Sequence, residues 1–420
     1  MKIILRNIED KNYQGTVKEY ISKGGYKALK KALAQKPEKI IEEIKRSGLR
    51  GRGGAAFPTG IKWEAVYKAE GFPKIIVANA DEGEPGTFKD KVILERDPHL
   101  LLEAMIIAAF ATGASEGFIY LRGEYFKAYQ CLAAAIEEAR KERFLGKNIL
   151  GKEFNFSLLV YCGAGSYECG EETALLESLE GKKGRARLKP PFPTQAGFKN
   201  KPTLVNNVET FALVPAIILK GADWFRGIGA RESCGTKLYC VSGDVKAPGV
   251  YELPMNVSLR ELVYKYAKGV EGNLKAVIVG GPSGCFWGES DLDIRMDYKS
   301  IEARGGILGS GAVVVLNDKR CIVDAVMNCV NFFRHESCGA CVPCREGTKN
   351  AWYLMQQIKE KKATPYFFSL VSDLFEVMRD TSRCGLGQVA LNSLVSAIEM
   401  FPREFKEHIE KKKCRCNICF

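Results

Sequence analysis

Three cysteines at short, regular intervals constrain this chain more than any other feature. They lie in the run Cys338-Gly-Ala-Cys341-Val-Pro-Cys344. A Cys-x2-Cys-x2-Cys loop directs three thiolates toward one compact centre, as three corners of a [4Fe–4S] cube require. A bacterial ferredoxin run would place the fourth cysteine where this chain has Thr348, so the fourth ligand must come from a distant segment. We predict Cys384, because the glycines beside it let backbone N–H groups approach the cluster sulfides.

Two other interpretations of the triple stay open at this point. Structural zinc usually binds paired Cys-x2-Cys units, and a triple leaves one cysteine without a pair-mate. The third interpretation is a set of buried cysteines without a ligand. The tail Cys414-Arg-Cys416-Asn-Ile-Cys419 can bind metal, but a frayed terminus explains it equally well, and we predict no function for it. Cys321 and the remaining cysteines are predicted to be buried small hydrophobes.

Composition places the chain among globular proteins. Hydrophobic residues make up 46% and charged residues 27% of the 420 residues, a length that suggests several domains. The net charge of +12 is spread along the chain without a nucleic-acid motif, so we interpret it as a solvated surface. No run of about 18 apolar residues occurs, and the apolar start is too short for a signal peptide. We expect a cytoplasmic protein that can still dock onto a membrane-bound partner.

Alternating strands and helices predict an α/β domain with a mostly parallel sheet in the first half of the chain. From about residue 236 the pattern changes to a small α+β unit, and from residue 321 to a helical bundle. The predicted strands are 75–78, 117–121, 156–161, 237–242, 245–251, 276–279 and 312–316. The predicted helices are 26–47, 98–112, 127–142, 207–219, 258–266, 323–334, 351–358, 366–378 and 388–400.

A glycine-rich loop over residues 48–60 has the properties of a phosphate site. Its glycines allow backbone amides to converge on an anion, Arg52 offers a forked donor and Lys62 a point charge. Phe57 is an aromatic side chain available to stack on a base. The loop is neither a Walker A motif nor a dinucleotide fingerprint, and a simple turn is the alternative interpretation.

Four later segments carry similar polar groups. Asn79, Asp81, Glu82 and Glu84 follow a predicted strand, where ligands bind in open α/β sheets. Residues 170–172 begin a helix whose N-terminus attracts negative charge, although a capped helix is the alternative. Residues 189–193 present a cation and an aromatic side chain on a stiff loop, and residues 206–210 offer short polar donors. Together with the cysteine run, these loops are jointly much stronger evidence than any one of them.

These motifs together resemble the NADH-binding, FMN-carrying flavin subunit of NADH:quinone oxidoreductase, respiratory complex I. The run from Glu336 to Gly347 is especially specific, and the resemblance covers nearly the whole chain. By matched motif, the residues around FMN are Gly51, Arg52, Gly53, Gly54, Lys62, Asn79, Asp81, Glu82, Gly170, Glu171, Asn206, Asn207 and Thr210. Those that receive NADH are Phe57, Glu84, Glu172, Lys189 and Phe192, and those that hold the cluster are Cys338, Cys341, Cys344 and Cys384.

The resemblance also implies an architecture. It comprises a lead-in (1–60), a Rossmann-like α/β domain for FMN and NADH (61–235), a ubiquitin-like β-grasp domain (236–320) and a helical bundle with the [4Fe–4S] cluster (321–420). It implies a small [2Fe–2S] thioredoxin-like partner within the peripheral arm of the complex, on the inner face of the cell membrane. Two departures stand out. Ala56 replaces a glycine that the family usually carries, and the cysteine-rich tail has no counterpart in the pattern.

The implied reaction is hydride transfer from NADH to FMN, followed by single-electron transfer to the cluster. No protein acid or base is needed at the nicotinamide, because the flavin supplies the chemistry. The alternative within the same chemistry is the diaphorase subunit of an NAD-linked hydrogenase or formate dehydrogenase. Alternatives from other classes are a non-enzymatic zinc or nucleic-acid-binding protein and an electron-transfer scaffold without flavin.

Overall fold

The computed structural model describes residues 2–420, which divide into two compact units. The first contains residues up to 83, 88–238 and 252–256, and the second contains 84–87, 239–251 and 257–420. Among the described residues, no helix is both long enough and apolar enough to cross a membrane.

A four-stranded parallel sheet forms the centre of the first unit. Its strands are β1 (Lys74–Ala80), β2 (Ala114–Leu121), β3 (Ser157–Cys162) and β4 (Thr203–Asn207). Their order is β3-β2-β1-β4, and every pair is parallel. The short apolar run of β1 is buried, as expected of a strand covered on both faces. The predicted parallel α/β architecture is therefore confirmed.

Twelve helices are assigned within the described part of this unit. They are α1 (Val17–Ser22), α2 (Lys27–Leu33), α3 (Pro37–Arg46), α4 (Thr59–Lys68), α5 (Lys89–Arg96), α6 (Pro98–Thr112), α7 (Phe126–Lys141), α8 (Glu172–Leu179), α9 (Pro193–Ala196), α10 (Val208–Ala212), α11 (Val214–Lys220) and α12 (Ala222–Arg226). A two-stranded pair, β5 (Gly229–Ala230) and β6 (Ser233–Cys234), follows them.

Two of the predicted helices differ from those observed. The helix predicted over 26–47 is divided into α2 and α3, because Pro37 lacks an N–H group and begins a new helix at its first position. The helix predicted over 207–219 begins one residue later and is divided into α10 and α11, with Pro215 in the first turn of α11. The strand β4 before it was missed, because its apolar run is only a few residues long.

The helix α6 is buried on all sides. Every one of its residues except Phe110 is buried, and Gly113 ends it in a left-handed conformation with φ 74°. Its single carboxylate, Glu103, accepts a hydrogen bond from the backbone N–H of Leu29 at 2.9 Å and another from the hydroxyl of Tyr20. A buried helix was predicted here, and the hydrogen bonds explain how it accommodates a carboxylate.

A mixed five-stranded sheet forms the first part of the second unit. Its strands are β7 (Thr236–Gly243), β8 (Gly249–Pro254), β9 (Leu274–Val279), β10 (Cys285–Trp287) and β11 (Ala312–Asn317), and the unit boundary crosses β7 and β8. The order is β10-β9-β11-β7-β8, with β11 parallel to β7 and antiparallel to β9. Four of these strands were predicted; the three-residue β10 was too short to detect. The short helix predicted over 258–266 is a π-helix over Glu261–Tyr266.

The end of the chain is helical, as predicted. The helices of the second unit are α13 (Tyr298–Ala303), α14 (Ile322–Glu336), α15 (Val342–Lys359), α16 (Phe367–Thr381), α17 (Gly385–Val389), α18 (Asn392–Met400) and α19 (Pro402–Glu410). The single helix predicted over 388–400 is instead two short helices, and α19 was missed. Its Pro402 occupies the first helical position, a start signal that the sequence did contain.

Candidate functional site

The carboxyl ends of β1 and β4 bring two predicted segments together. Asn79 and Asn207 are register partners on these parallel strands, so their polar side chains meet at one edge of the sheet. Asn79 also donates from Nδ2 to the carbonyl oxygen of Gly170 at 2.8 Å, which joins the turn before α8 to the same edge. Three of the loops identified in the sequence therefore converge.

The glycine-rich loop attaches to this edge. It is closed by a hydrogen bond of 2.9 Å from the N–H of Gly51 to the carbonyl of Phe57. The backbone N–H of Arg52 donates to Thr210 Oγ1 at 2.8 Å, which fixes the loop to α10. A Cβ at Gly53 would lie 3.0 Å from the Cβ of Asn207, so only glycine fits there without displacement. Gly54, with φ +146°, faces open space, which leaves room for a ligand beside the loop.

The side chain of Arg52 differs from its predicted role. It is fully buried, and its guanidinium donates to the carbonyl oxygens of Thr236 at 3.1 Å, Arg50 at 3.0 Å and Cys234 at 2.6 Å. A phosphate contact by this fork does not fit its position. The guanidinium instead holds the backbone of the loop, and the backbone amides remain the groups suited to an anion.

Ala56 has a left-handed backbone with φ 52°. This is the position where the family pattern usually has glycine, and a Cβ makes this conformation unfavourable. The residue before Phe57 therefore carries a local conformational cost that glycine would avoid.

Four charged side chains form a cluster at the start of α8. Lys62 Nζ lies 2.8 Å from Glu172 Oε2, and Lys189 Nζ lies 3.1 Å from Glu172 Oε1 and 2.9 Å from Glu171 Oε1. Burial opposes ionisation of Glu172, but the two lysines outweigh burial and lower the pKa of this carboxyl below its ordinary value. Glu172 is therefore a carboxylate at neutral pH, and its charge is compensated by Lys62 and Lys189.

Glu171 has a second role in the same turn. Its carboxylate accepts from the backbone N–H groups of Thr173 at 2.8 Å and Ala174 at 2.9 Å, so Glu171 is the N-cap of α8. The capped helix that the sequence left open as an alternative is thus observed, together with the ion pairs. The N-cap fixes the carboxylate in position beside Gly170.

Two aromatic side chains stand near these charges without being buried. Phe57 is 50% exposed and Phe192 is 51% exposed. Lys62 Nζ lies 5.8 Å from the centre of the Phe57 ring, which connects that ring to the charged cluster. Large apolar rings left half in water beside a charged cluster are available to stack on a planar ligand.

Glu82 caps a helix that was not predicted from the sequence. Its carboxylate accepts from the backbone N–H groups of Asp90 at 2.8 Å and Lys91 at 3.1 Å, at the start of α5, and from the hydroxyl of Tyr125 at 3.0 Å. Burial, followed by the neighbouring carboxylate of Asp90, raises the pKa of Glu82 to about 7. Its side chain is thus committed to α5 in this structure.

Glu84 belongs to the second unit. Its carboxylate accepts from the N–H of Ser283 at 3.0 Å and from the hydroxyl of the same residue at 2.9 Å.

A buried ionic network beneath the sheet edge was also missed. Lys89 Nζ lies 2.7 Å from Asp90 Oδ1 and 3.0 Å from Glu209 Oε2, and Lys237 Nζ lies 3.9 Å from the same Glu209 oxygen. Asn207 joins it by donating to Asp90 Oδ2 at 2.6 Å. Burial lowers the pKa of Lys237 to about 8. Buried charges are retained only when paired, so four neighbouring charged residues in otherwise apolar segments were the available signal.

The remaining polar residues predicted at the site lie close to these groups. Asn206 Oδ1 accepts from Trp63 Nε1 at 3.2 Å, and the backbone N–H of Asp81 donates to Asn79 Oδ1 at 3.1 Å. Their hydrogen bonds order the backbone around the sheet edge. An edge of ordered amides, one open glycine and compensated charges fits a phosphorylated flavin.

The predicted cluster cysteines lie at helix starts in the second unit. Cys341 is the N-cap of α15 and Cys384 is the N-cap of α17. Gly387 brings α17 against the cysteine loop, since a Cβ there would lie 2.9 Å from the Cβ of Cys344 and 2.6 Å from Ser382. The distant fourth cysteine is thereby carried next to the triple. Four free cysteines on two adjoining loops fit the donor set of a [4Fe–4S] cluster.

Comparisons with known proteins agree with this geometry. Residues 44–216 match the Nuo51 FMN-binding domain, and residues 324–408 match the NADH-ubiquinone oxidoreductase-F iron-sulfur binding region. The chain is 48% identical to the second F subunit of the NADH-quinone oxidoreductase of Rhizobium meliloti, covering 98% of both chains. It is 50% identical to the corresponding F subunit of Aquifex aeolicus, covering 94% of this chain and 92% of that one.

Hydrogenase subunits are also similar. The HndC subunit of the NADP-reducing hydrogenase of Solidesulfovibrio fructosivorans is 44% identical, with 96% of this chain and 83% of that chain covered. A crystal structure of NAD+-reducing [NiFe]-hydrogenase in its air-oxidised state is 40% identical with a TM-score of 0.81 over 89% of this chain. The chain spans 63% of that hydrogenase chain.

Proposed function

Because the chain belongs to the F-subunit family of NADH-quinone oxidoreductases, we propose that the residues gathered at the carboxyl ends of β1 and β4 hold its FMN and receive NADH. The chain is the NADH dehydrogenase module of complex I, with an FMN-binding domain and a [4Fe–4S] region. When bound, FMN accepts a hydride from NADH and delivers single electrons to the cluster. The protein's own part is to bind, orient and exclude water.

For FMN, we assign the backbone of Gly51, Arg52, Gly53 and Gly54 to the phosphate side. Asn79, Asn206, Asn207 and Thr210 are assigned to its polar edge, together with Asp81, Glu82, Gly170, Glu171 and Lys62. The observation that carries this proposal is the attachment of the glycine-rich loop to the sheet edge through Thr210 and Asn207. Convergent amides with room beside Gly54 are suited to an anionic group.

For NADH, we assign Phe57 and Phe192 to stacking, and Glu172, Glu84 and Lys189 to polar contacts. The half-exposed rings beside a compensated carboxylate support this assignment for the first unit. A Glu172 carboxylate that accepts from adenosine ribose hydroxyls would repel the additional phosphate of NADPH. Glu84 is assigned the same contact with ribose.

For the cluster, we assign Cys338, Cys341, Cys344 and Cys384. The approach of Gly387 to Cys344 supports the choice of Cys384 as the fourth ligand.

The test is a visible spectrum of the anaerobically purified full chain before and after NADH, with iron, FMN and ferricyanide reduction measured on the same sample. We expect one FMN and four irons per chain, loss of flavin absorbance on addition of NADH, and rapid ferricyanide reduction. Colourless protein that binds neither FMN nor iron after reconstitution, and that does not oxidise NADH, would contradict the proposal.

A second candidate is the diaphorase subunit of an NAD-linked hydrogenase. It is favoured by the likeness to hydrogenase chains at 40–44% identity. Isolation of the native complex distinguishes the two, since quinone reduction supports the respiratory assignment and hydrogen-dependent NAD reduction supports the hydrogenase.

We also propose the finer architecture and assembly. The mixed sheet over 236–320 is a ubiquitin-like β-grasp domain, supported by its parallel pair β7 and β11 beside antiparallel β9. The partner is a small [2Fe–2S] thioredoxin-like protein in the peripheral arm, on the cytoplasmic face of the cell membrane. The lead-in (1–60), α/β domain (61–235) and bundle (321–420) stay predictions as separate domains.

A further inference from the structure

The cysteine-rich tail, for which no function was predicted, takes part in a second group of metal-type ligands. The ligand atoms of Cys321, His408, Cys414 and Cys419 all lie within 4.8 Å of one another. Cys321 Sγ is 3.3 Å from His408 Nε2 and 3.4 Å from Cys419 Sγ. None of the four belongs to the cluster set around Cys344. We propose that these residues form a structural zinc site with three thiolates and one imidazole.

The distances suit a small tetrahedral ion. Zinc bonds of about 2.3 Å to sulfur and about 2.0 Å to nitrogen place neighbouring ligand atoms roughly 3.5–3.8 Å apart. The 3.3 and 3.4 Å separations are close to this value, and the widest separation needs a contraction of about 1 Å. The contact between Cys321 and Cys419 is far too long for a disulfide, whose sulfurs stand about 2.05 Å apart. Cuboidal iron–sulfur clusters hold their thiolates around a larger core, so this compact group fits one ion.

The imidazole of His408 is oriented for metal binding. Its Nδ1 lies 2.8 Å from the carbonyl oxygen of Glu404, and since a carbonyl only accepts, Nδ1 carries the proton. Nε2 therefore presents its lone pair to the sulfur of Cys321. A metal-binding histidine commonly donates its other nitrogen in this way, which fixes the ring and its tautomer. His408 is 1% exposed, so water does not occupy that position in its place.

The surrounding structure holds the tail in place. Asn417 donates its backbone N–H to the carbonyl of Cys414 at 3.3 Å, and Lys412 Nζ donates to the carbonyl of Ala363 at 2.6 Å. The ring of Phe420 packs edge-on against His408 with ring centres 5.6 Å apart. Cys321 and Cys414 are 2% and 4% exposed. The tail is therefore a folded segment, and its first and last cysteines face the buried histidine.

Spacing alone would select different residues. Cys416 and Cys419 have the Cys-x2-Cys spacing typical of zinc sites, yet Cys416 is not in the group and its sulfur donates to the carbonyl of Arg320 at 3.3 Å. The structure instead selects Cys414, together with Cys321, which lies nearly a hundred residues earlier. All three cysteine ligands lie outside the residues that match the family's iron–sulfur region. The site is thus a property of this chain that the family resemblance does not include.

The site would fasten the ends of the cluster-bearing region. Cys321 is the N-cap of α14, the helix that ends next to the Cys338 loop, and His408 lies on α19. Binding Zn²⁺ with loss of three thiol protons joins the start of α14 to α19 and to the tail. Zinc has no redox chemistry in proteins, so the role is mechanical and the ion carries no electrons.

The test measures zinc and iron in the full chain purified anaerobically with its cofactors. We expect about one zinc beside four irons per chain, and X-ray absorption at the zinc edge should give three sulfurs near 2.3 Å and one nitrogen near 2.0 Å. Cys414→Ser and Cys419→Ser should each lose most of the zinc while keeping iron and FMN. Cys416→Ser is the matched control and should keep all three.

A thiol-alkylation measurement does not depend on how the variants fold. In the native holoprotein, Cys416 should react while Cys414 and Cys419 are protected, and a zinc chelator should expose both. Three outcomes would overturn the proposal: zinc that stays in both serine variants, Cys414 and Cys419 reacting as fast as Cys416, or native protein with a Cys321–Cys419 disulfide.

Discussion

At the scale of single residues, the carboxylate of Glu172 is the one whose charge is most closely compensated. It accepts from Lys62 at 2.8 Å and from Lys189 at 3.1 Å, so the charge that faces a ligand is reduced but still present. Specificity arising from this residue should therefore be moderate. A fully uncompensated carboxylate would discriminate against a phosphate more strongly.

We predict that Glu172→Gln raises kcat/KM for NADPH relative to NADH by about tenfold, which corresponds to roughly 1.4 kcal/mol. Neutralising the side chain removes repulsion of the extra phosphate and frees both lysines to attract it. Steady-state ferricyanide reduction with the two nucleotides measures the ratio. Glu177→Gln is the control, since Glu177 lies on the same helix but pairs with Arg187. An unchanged ratio in the Glu172 variant would refute its contact with ribose.

Glu82 gives a prediction about pH. Its pKa is about 7 in the folded chain against an ordinary value of 4.5, because burial and Asp90 disfavour the charged form. Between these values the folded state binds more protons than the unfolded state, so this group's contribution is complete below pH 4.5 and is lost as pH rises through 7. The full difference is on the order of 3 kcal/mol.

We expect Glu82→Gln to flatten the dependence of the denaturation midpoint on pH between about pH 5 and about pH 7.5. Thermal denaturation of the full chain at several pH values measures the slope. Glu142→Gln, which changes an exposed carboxylate at the end of α7, should keep the wild-type slope. A Glu82 variant with an unaltered slope would show that Glu82 does not titrate in this range.

Residue chemistry was predictable where its partners were close in sequence. The cysteine triple and the glycine loop were found because both patterns are local. The orientation of Arg52 could not be found, since the carbonyls of Thr236 and Cys234 that accept from it lie over 180 residues away. The zinc ligands were missed for the same reason.

At the scale of secondary-structure elements, α17 depends on a glycine that permits close packing. A Cβ at Gly387 would come within 2.6 Å of Ser382 and 2.9 Å of Cys344. The helix that carries Cys384 would have to move away from the cysteine loop. Its position is thus determined by the missing side chain.

We predict that Gly387→Ala lowers iron per chain by at least about half, because Cys384 would be displaced from ligand distance and a site misplaced by about 1 Å loses much of its function. Iron analysis after identical anaerobic reconstitution measures this. Gly385→Ala is a matched control on the same short helix, where a Cβ would meet nothing within 4 Å. Equal iron in both variants would argue against the packing role.

Elements were predictable when they were long or strongly patterned. The bounds of α6 agree with the prediction at both ends, since its apolar run begins at Pro98 and ends before Gly113. Strand β4 and helix α5 were not found. β4 has five residues and runs directly into α10, and α5 has a charged sequence that only its buried ionic network explains.

At the scale of the whole molecule, the two compact units carry different cofactor residues. The glycine loop and the sheet edge belong to the first unit, and the cluster cysteines belong to the second. Loss of one cofactor should therefore leave the other bound. This separation is directly testable.

We predict that Cys384→Ser loses most of its iron but keeps FMN, and that NADH still bleaches the flavin. The flavin residues of the first unit do not include any cluster ligand. Iron and FMN analysis with an anaerobic NADH titration measures both. Cys162→Ser, at an exposed cysteine of the first unit, should keep both cofactors. If the Cys384 variant also lost FMN, the two units would not be independent.

The burial of α6 has a consequence for how the first unit can be observed in solution. A helix enclosed by protein along its length has no amide that solvent reaches through a local fluctuation of the surface. Its backbone deuterium uptake should therefore report the rare opening of the entire unit. In that sense α6 is an internal clock, against which the loosening caused by any substitution, or the tightening caused by a bound nucleotide, can be timed.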